Sequence, residues 1–376
     1  MAKDRVVKRL ILLWLLFLFY TGCSDVGFEI RQSSSCQEAP LKGIVCSQGE
    51  DGINHYSTEF VSGKVDVIFV IDNSGSMSVE QKQMAQRLGN LLEKINLAQM
   101  DYRIAVITTD VKKDKGQFLK FPDGSLFLTP QSPKVLEQLK QTIQRQETLT
   151  CDQNNYNPSM CPSGDERGIY ALNLALDRPE NTSFFRDSAH LSVILLSDED
   201  ERSAGGTLSG FPLEPYDLPE TLIQKVALQL GMTKTFSFHS VIVKPGDAQC
   251  LNAQIVHLPN GRNLYGYYGK TYAKLSRPSD NLKALGGLVD GTIGSICASD
   301  YAAQMGDIGS RVSEVVDSYQ LPCEPIDNSL TVEISERGNA FTEIPFEVDN
   351  NLMIHFNPPL PAGTRVKIRW SCPNYL

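Results

Sequence analysis

The sequence has 376 residues, of which 41% are hydrophobic, so it is long enough to build one large domain and a smaller one. Its formal net charge is −9, and this becomes −12 without residues 1–22, which hold four basic side chains and one acidic side chain. An acidic surface of this kind argues against nucleic acid and anionic lipid surfaces as partners.

The first 22 residues have the pattern of an export signal. Four basic residues precede the apolar run from Leu10 to Tyr20, which is short for a membrane span. The following Gly22-Cys23 resembles the end of a bacterial lipoprotein signal, which implies that Cys23 becomes the lipidated first residue of the mature chain. We therefore predict a lipid-anchored protein of the bacterial cell envelope, with an uncleaved anchor as the alternative. Ser24 favours the outer membrane, on its periplasmic face or at the cell surface.

Eight further cysteines, an even number in an exported chain, indicate disulfide bonds. No Cys-x-x-Cys spacing supports a zinc or redox site. Eight cysteines allow on the order of 100 connectivities, so the count alone does not fix the pairs. The most economical pairing joins Cys36–Cys46, Cys151–Cys161, Cys250–Cys297 and Cys323–Cys372.

A polar turn follows the first strong strand signal. Residues 67–71 are an unbroken β-branched and aromatic run, typical of a strand buried on both faces. It ends in Asp72-Asn73-Ser74-Gly75-Ser76, where every residue favours a turn, and a helix is predicted to follow. Asp72, Ser74 and Ser76 therefore lie at the carboxyl end of a strand, where open α/β sheets bind ligands. Their oxygen atoms suit a hard cation.

Strands and helices then alternate along the chain. We predict further strands at 101–109, 190–197, 235–243 and 291–297, a hairpin around 117–129, and helices after residues 77, 132, 167, 218 and 299. This alternation implies a parallel sheet that is covered on both faces. The predicted domain spans 61–319, and the polar stretch 23–60 before it is predicted as a tether.

The Asp-x-Ser-x-Ser turn resembles the metal-ion-dependent adhesion site of von Willebrand factor type A domains. The resemblance spans roughly residues 62–318 and implies a doubly wound, mostly parallel sheet flanked by helices. It also implies that Asp72, Ser74 and Ser76 bind Mg²⁺ (or Mn²⁺ or Ca²⁺), with a second Asp at the end of the fourth strand. Asp198 matches that second position. The alternative is an Asx turn that only caps the following helix.

One ligand of that family has no clear counterpart. The family carries a Thr in the loop before the third helix, and here residues 163–168 occupy that place, with Asp165 or Glu166 nearest. Hydroxyl ligands leave an ion electrophilic towards a partner's carboxylate, whereas a resident Glu neutralises it. We include Glu166 as a candidate ligand. Glu199 and Asp200 either support the site or face solvent.

Other candidates give weaker signals. The five histidines are dispersed along the chain, and His190 and His239 are predicted to be packed in the core. Tyr265, Tyr267 and Tyr268 form either a protein-binding patch or loop packing. Residues 320–376 read as a small antiparallel β module, which Cys323 and Cys372 bracket.

The combined pattern predicts a protein that is not an enzyme. We expect a metal-dependent protein-binding or adhesion lipoprotein, whose ion takes a carboxylate from a protein partner. The membrane is contacted through the lipid on Cys23, and no nucleic acid is expected. The alternative is a structural component of an envelope assembly that does not use the metal for binding. Metal-assisted hydrolysis is a third hypothesis, and the sequence offers no convincing general base for it.

Overall fold

The computed structural model describes residues 44–49, 52–187, 189–231, 234–336 and 338–373. The helices are α1 (Ser78–Leu97), α2 (Val135–Ile143), α3 (Gln146–Gln153), α4 (Gly168–Asp177), α5 (Pro219–Leu230), α6 (Ala248–Ala253), α7 (Lys270–Ser276), α8 (Asp280–Lys283) and α9 (Ala302–Val315). The strands are β1 (Ile44–Gln48), β2 (Ile53–Val61), β3 (Lys64–Ile71), β4 (Asp101–Thr108), β5 (His190–Leu196), β6 (Phe236–Ile242), β7 (Val256–His257), β8 (Asn263–Leu264), β9 (Leu288–Val289), β10 (Ile293–Ser295), β11 (Tyr319–Gln320), β12 (Thr331–Ser335), β13 (Thr342–Glu343), β14 (Glu347–Val348), β15 (Met353–His355) and β16 (Arg365–Pro373).

A parallel sheet with the order β4-β3-β5-β6-β10 forms the centre of the α/β domain, and β9 pairs with β6. Every residue of β5 and β6 is buried, as is all of β3 after Lys64, which explains their continuous apolar sequences. Side chains alternate between two cores. Phe69 packs with α1 and α9, whereas Ile68 packs with α4, α5 and α7. The predicted mostly parallel sheet flanked by helices is confirmed.

The strand order fixes where a ligand crevice opens. From β3 the chain crosses to β4 on one side, and it later returns to place β5 on the other side of β3. Where the connections from two neighbouring parallel strands lead to opposite sides of the sheet, a crevice opens beyond the carboxyl ends of those two strands. Here the two strands are β3 and β5. Asp72 follows β3 and Asp198 follows β5, so both lie at this crevice.

The antiparallel β module contains both ends of the described chain. Its five-stranded sheet has the order β1-β2-β16-β12-β13, and a second sheet has the order β11-β15-β14. Strand β2 pairs with β16 from Ile53↔Pro373 to Val61↔Arg365. Tyr56 on β2 stacks on Trp370 on β16, with their ring centroids 5.4 Å apart.

The described parts of the predicted tether, residues 44–49 and 52–60, therefore belong largely to this sheet, and strand β2 runs across the predicted boundary at residue 61. The sequence there has a mixed pattern, since buried and more exposed residues alternate along the central part of β2 and polar residues occupy most of its exposed positions. A module built from both chain ends also differs from the predicted separate unit at 320–376.

One local prediction differs from the structure. The hairpin expected at 117–129 forms a turn, in which the Gly124 amide donates to the carbonyl of Phe121, and a single bridge from Leu128 to Ile104.

Three predicted disulfides are present: Cys151–Cys161, Cys250–Cys297 and Cys323–Cys372. The predicted pair Cys36–Cys46 includes Cys36, which lies outside the described residues, as do the signal segment and Cys23. Within the described ranges, no helix combines the length and the hydropathy needed to cross a bilayer.

Candidate metal centre

Asp72 is fully buried at the point where β3 ends. Its backbone amide donates to the carbonyl of Leu196 at 3.0 Å, which keeps it in line with β5. Its Oδ1 accepts from the Ser74 amide at 2.9 Å, and its Oδ2 accepts from the Ser197 hydroxyl at 2.6 Å. Each carboxylate oxygen keeps further lone-pair capacity, so Asp72 can shape the turn and still face a cation.

The serine hydroxyls of the turn lie side by side. The Oγ atoms of Ser74 and Ser76 are 2.9 Å apart, and both residues line a pocket of about 600 Å³. Gly75 lies between them against the disulfide loop. A Cβ at this position would lie 2.6 Å from Sγ of Cys151 and 2.8 Å from the Tyr156 ring, so the close approach requires glycine.

Two helices hold the backbone of this turn. Gln81 on α1 donates to the carbonyl of Asp72 at 2.8 Å, and Thr148 on α3 donates to the carbonyl of Asn73 at 2.8 Å. Gln81 also donates to Oγ1 of Thr148 at 3.0 Å, which closes the network. Because buried hydrogen bonds fix each carbonyl, the serine hydroxyls are presented in a defined position.

Asp198, the predicted second carboxylate, follows β5 and lines the same pocket as Ser74 and Ser76. It is 2% exposed and its Oδ1 is buried without a hydrogen-bond partner among the described residues, whereas the Ser76 hydroxyl bonds to its carboxylate. A buried carboxylate oxygen without a partner is costly, and a cation is the group that satisfies it most fully.

Glu166 enters the same pocket from the loop before α4. It is 4% exposed, and its Oε2 accepts from the Ser203 hydroxyl at 3.3 Å. Its backbone forms a bridge to Asp110, beyond the end of β4. The structure therefore brings all five sequence-predicted ligands to the same crevice, with Asp72 beneath the turn whose serines line the pocket.

Burial raises the pKa of Asp72, Asp198, Glu166 and Glu199, and the negative charges of neighbouring acids add to this effect for the last three. After burial, the charge of Asp72 is the main cause for both Asp198 and Glu166, and the charge of Glu166 is the main cause for Glu199. The hydrogen bond from Ser197 acts in the opposite direction on Asp72. Among the described residues no Lys or Arg forms an ion pair with any of the four.

The donor set fits a small hard cation. In the described part of the chain, no three His, Cys, Asp or Glu side chains lie close enough together to hold an ion by themselves. The serine hydroxyls and water must therefore supply coordination positions, as Mg²⁺ allows because it retains several waters and takes one or two carboxylates. The unpartnered Oδ1 of Asp198 beside the two hydroxyls is the observation that supports this fit.

The three acidic residues that follow Asp198 make different contacts. Glu199 lines the pocket, whereas Asp200 turns away and accepts from the amide of Thr271, at the start of α7, at 2.9 Å. Glu201 is fully buried and accepts from the amides of Ile169 and Tyr170, at the start of α4, at 2.8 and 3.1 Å. The sequence predicts that Asp200 either supports the site or faces solvent. It does not predict that Asp200 and Glu201 accept from amides at the start of α7 and α4.

Two serines were also missed. Ser197 holds Asp72, and Ser203 contacts Glu166. The position of Ser197 directly before Asp198, at a strand end, is the signal that was available for it. The position of Ser203 depends on loop folding, for which the sequence carries no comparable signal.

The exposure of the remaining candidate residues, two histidines and the tyrosines near residue 265, shows which of them are core residues. His190 and His239 are fully packed core residues joined through the Ser237 hydroxyl, at 2.9 and 3.0 Å, as predicted. Tyr265 is 53% exposed and lines the pocket together with Tyr267.

No protein family and no curated protein matches the chain. Solved structures similar to it include the pilus adhesin SpaC of Lactobacillus rhamnosus GG in its open conformation, at 13% identity and a TM-score of 0.31, over 87% of this chain and 42% of that one. Proximal thread matrix protein 1 of the mussel byssus is similar at 13% identity and a TM-score of 0.29, over 68% and 48%. Manganese-loaded TRAP of Plasmodium vivax is similar at 16% identity and a TM-score of 0.24, over 58% and 73%. The chain thus spans less than half of SpaC, and likenesses this distant do not indicate function.

Proposed function

We propose that this chain is a metal-dependent protein-binding module, with a divalent ion held between the Asp72 turn and Asp198. The observation that supports this proposal most directly concerns Oδ1 of Asp198, which is buried without a described hydrogen-bond partner. It lies at the switch point of the sheet, in the pocket that the paired hydroxyls of Ser74 and Ser76 also line. Mg²⁺ is the preferred ion, with Mn²⁺ or Ca²⁺ as substitutes.

The side chains divide the work of holding the ion. Ser74 and Ser76 contribute neutral oxygens, Asp198 contributes charge, and Asp72 braces the turn from below through its bond to the Ser74 amide. When bound, the ion supplies positive charge to attract an oxygen ligand from outside the chain. The pocket of about 600 Å³ leaves room for water and for a partner's side chain.

The partner proposed is a protein that presents an Asp or Glu carboxylate. Aromatic side chains at the rim, Tyr156, Tyr265 and Tyr267, provide surfaces of the kind that dominate protein interfaces. We propose binding without turnover. We further propose that the protein acts at the bacterial cell envelope, held at the outer membrane by the lipid on Cys23.

The test is partner binding with and without the ion. Binding of the full chain to its partner surface is expected to disappear in EDTA and to return with Mg²⁺. Asp198→Asn keeps the side-chain shape and is expected to lose binding while it retains the native circular dichroism spectrum. Binding that survives both treatments would instead support the structural alternative, in which the ion plays no part.

A further inference from the structure

The backbone of Glu166 is fixed in front of the metal turn. It bridges to Asp110, and the Ser203 amide donates to the carbonyl of Glu166 at 3.3 Å. The next amide, that of Arg167, donates to the carbonyl of Thr109 at 3.0 Å. Glu166 therefore cannot move away without breaking contacts with two neighbouring loops, and only its side chain is free to change position.

That side chain has one described hydrogen bond, the 3.3 Å contact from the Ser203 hydroxyl. The nearby cations have other partners. Lys112 lies 3.5 Å from Asp165, and Arg167 forms two hydrogen bonds with Asp217 at 2.8 and 2.6 Å. A buried carboxylate that lines the same pocket as Asp198, with its neighbouring cations engaged elsewhere, is placed to use an ion as its counter-charge.

Counting charges shows what this does to a bound ion. Asp72 and Asp198 together balance a divalent cation, so that a site completed by hydroxyls and water is neutral and accepts one external carboxylate. Glu166 brings a third negative charge, and an external carboxylate would then be a fourth in the same pocket. Like charges gathered in one site repel each other, so a resident Glu166 opposes the entry of another carboxylate.

We propose that Glu166 is the chain's own carboxylate ligand for the ion, and that it keeps the site closed until a partner's carboxylate displaces it. This inference rests on the metal-dependent binding proposed above. Within the protein, Ser203 holds the Glu166 side chain through a single long hydrogen bond. Displacement would therefore exchange the Glu166 carboxylate on the ion for that of the partner, break this one weak contact and leave the loop backbone in place. The pocket has the volume to receive both carboxylates during the exchange.

The experiment measures Mn²⁺ binding to the full chain in detergent, together with the water-proton relaxivity of the bound Mn²⁺, which counts the exchangeable waters on the ion. Acetate serves as the external carboxylate. Glu166→Thr places a small hydroxyl at the position, and Glu166→Gln removes the charge with the least change in shape. Asp165→Asn is the matched control, since it removes a charge from the same loop but not from the pocket lining.

Wild-type protein is expected to bind Mn²⁺ with low relaxivity and to show no response to millimolar acetate. Both Glu166 variants are expected to bind Mn²⁺ about tenfold or more weakly, with higher relaxivity that falls when acetate is added. Asp165→Asn is expected to behave as wild type.

Equal relaxivity and an equal acetate response in wild type and both Glu166 variants, with Mn²⁺ bound in all three, would overturn the closed-site inference and leave the metal site standing. Failure of the wild-type protein to bind Mn²⁺ at all would overturn the inference and the proposed function together. The two failures are therefore distinguishable.

Discussion

Ser197 donates a 2.6 Å hydrogen bond to Oδ2 of Asp72, and so ties the end of β5 to the residue that follows β3. Both residues are fully buried, and the bond spans the switch point of the sheet. It adds a side-chain link to the backbone bond between Asp72 and Leu196 at the two strand ends that supply the candidate carboxylates, and it orients Asp72 beneath the serine turn.

Ser197→Ala is expected to weaken divalent-ion binding about 10–100-fold, the usual effect of losing a group that supports a metal ligand. It also leaves a buried carboxylate oxygen short of a donor, at a cost of about 1–3 kcal/mol in the free energy of unfolding. Calorimetric titration with Mn²⁺ and urea unfolding measure the two effects.

Ser192→Ala is the matched control, because Ser192 is a buried serine on β5 whose hydroxyl has no described partner. It is expected to leave ion affinity unchanged. A loss of affinity that is equal in both variants would show that the effect comes from β5 in general and not from the bond to Asp72.

The Cys151–Cys161 disulfide supports the metal turn, because Cys151 packs against Gly75. Replacing both cysteines by serine is expected to lower stability by about 2–4 kcal/mol and to weaken Mn²⁺ binding. The Cys323–Cys372 pair in the β module provides a control of the same chemistry. Its double serine variant should lose stability and keep its ion affinity, and an equal loss of affinity in both variants would contradict the local role of Cys151.

Glu201 caps α4 with both carboxylate oxygens, although it is fully buried. Glu201→Ala leaves two amide groups at the start of the helix without a partner, so a loss of about 1–3 kcal/mol is expected. Glu220, an exposed acid in the first turn of α5, is the control and should change stability by about 0.5 kcal/mol or less when replaced by Ala. Similar losses in both variants, measured by urea unfolding, would contradict the buried cap.

Asp317 gives the protein a pH-dependent stability. It is buried beyond the end of α9, where its Oδ1 accepts from the Gly63 amide at 2.8 Å while Oδ2 lacks a described partner, and burial raises its pKa to about 6. A pKa raised on folding means that the folded state binds the proton more tightly, so this residue costs stability above pH 6 and the cost disappears as the pH falls.

Wild type is therefore expected to gain about 1.4 kcal/mol relative to Asp317→Asn between pH 7.5 and pH 5. The measurement is urea unfolding of both proteins at the two pH values, in the presence of EDTA. A difference between the two proteins that does not change with pH would contradict the assignment.

The sequence indicated the two strand-end acids because their strands are buried on both faces. Each therefore reads as an apolar run that stops at a polar residue, in residues 67–72 and again in 193–198. Residues 53–61 gave no such signal, since one side of β2 faces outwards and carries polar residues such as His55 and Glu59.

The roles of Glu201 and Ser203 could not be read from the sequence for a different reason. Each contact joins loops more than 30 positions apart, at 32 residues for Glu201 to Ile169 and 37 for Ser203 to Glu166. Only the folded sheet brings those loops together. Periodicity reports which face of an element is buried, and it carries no information on which loop a particular carboxylate will reach.

The central claim is that the Asp72 turn and Asp198 hold a divalent ion, and thermal unfolding of the full chain over a Mg²⁺ titration tests it most directly. An ion that binds only the folded state adds about 2.7 kcal/mol at a hundred times its dissociation constant. The melting temperature of the wild-type protein is therefore expected to rise steadily with Mg²⁺. Asp198→Asn is expected to be at least as stable as wild type in EDTA, because it removes a buried charge, and to show no rise. A wild-type melting temperature that does not respond to Mg²⁺, or an equal rise in Asp198→Asn, would contradict the claim.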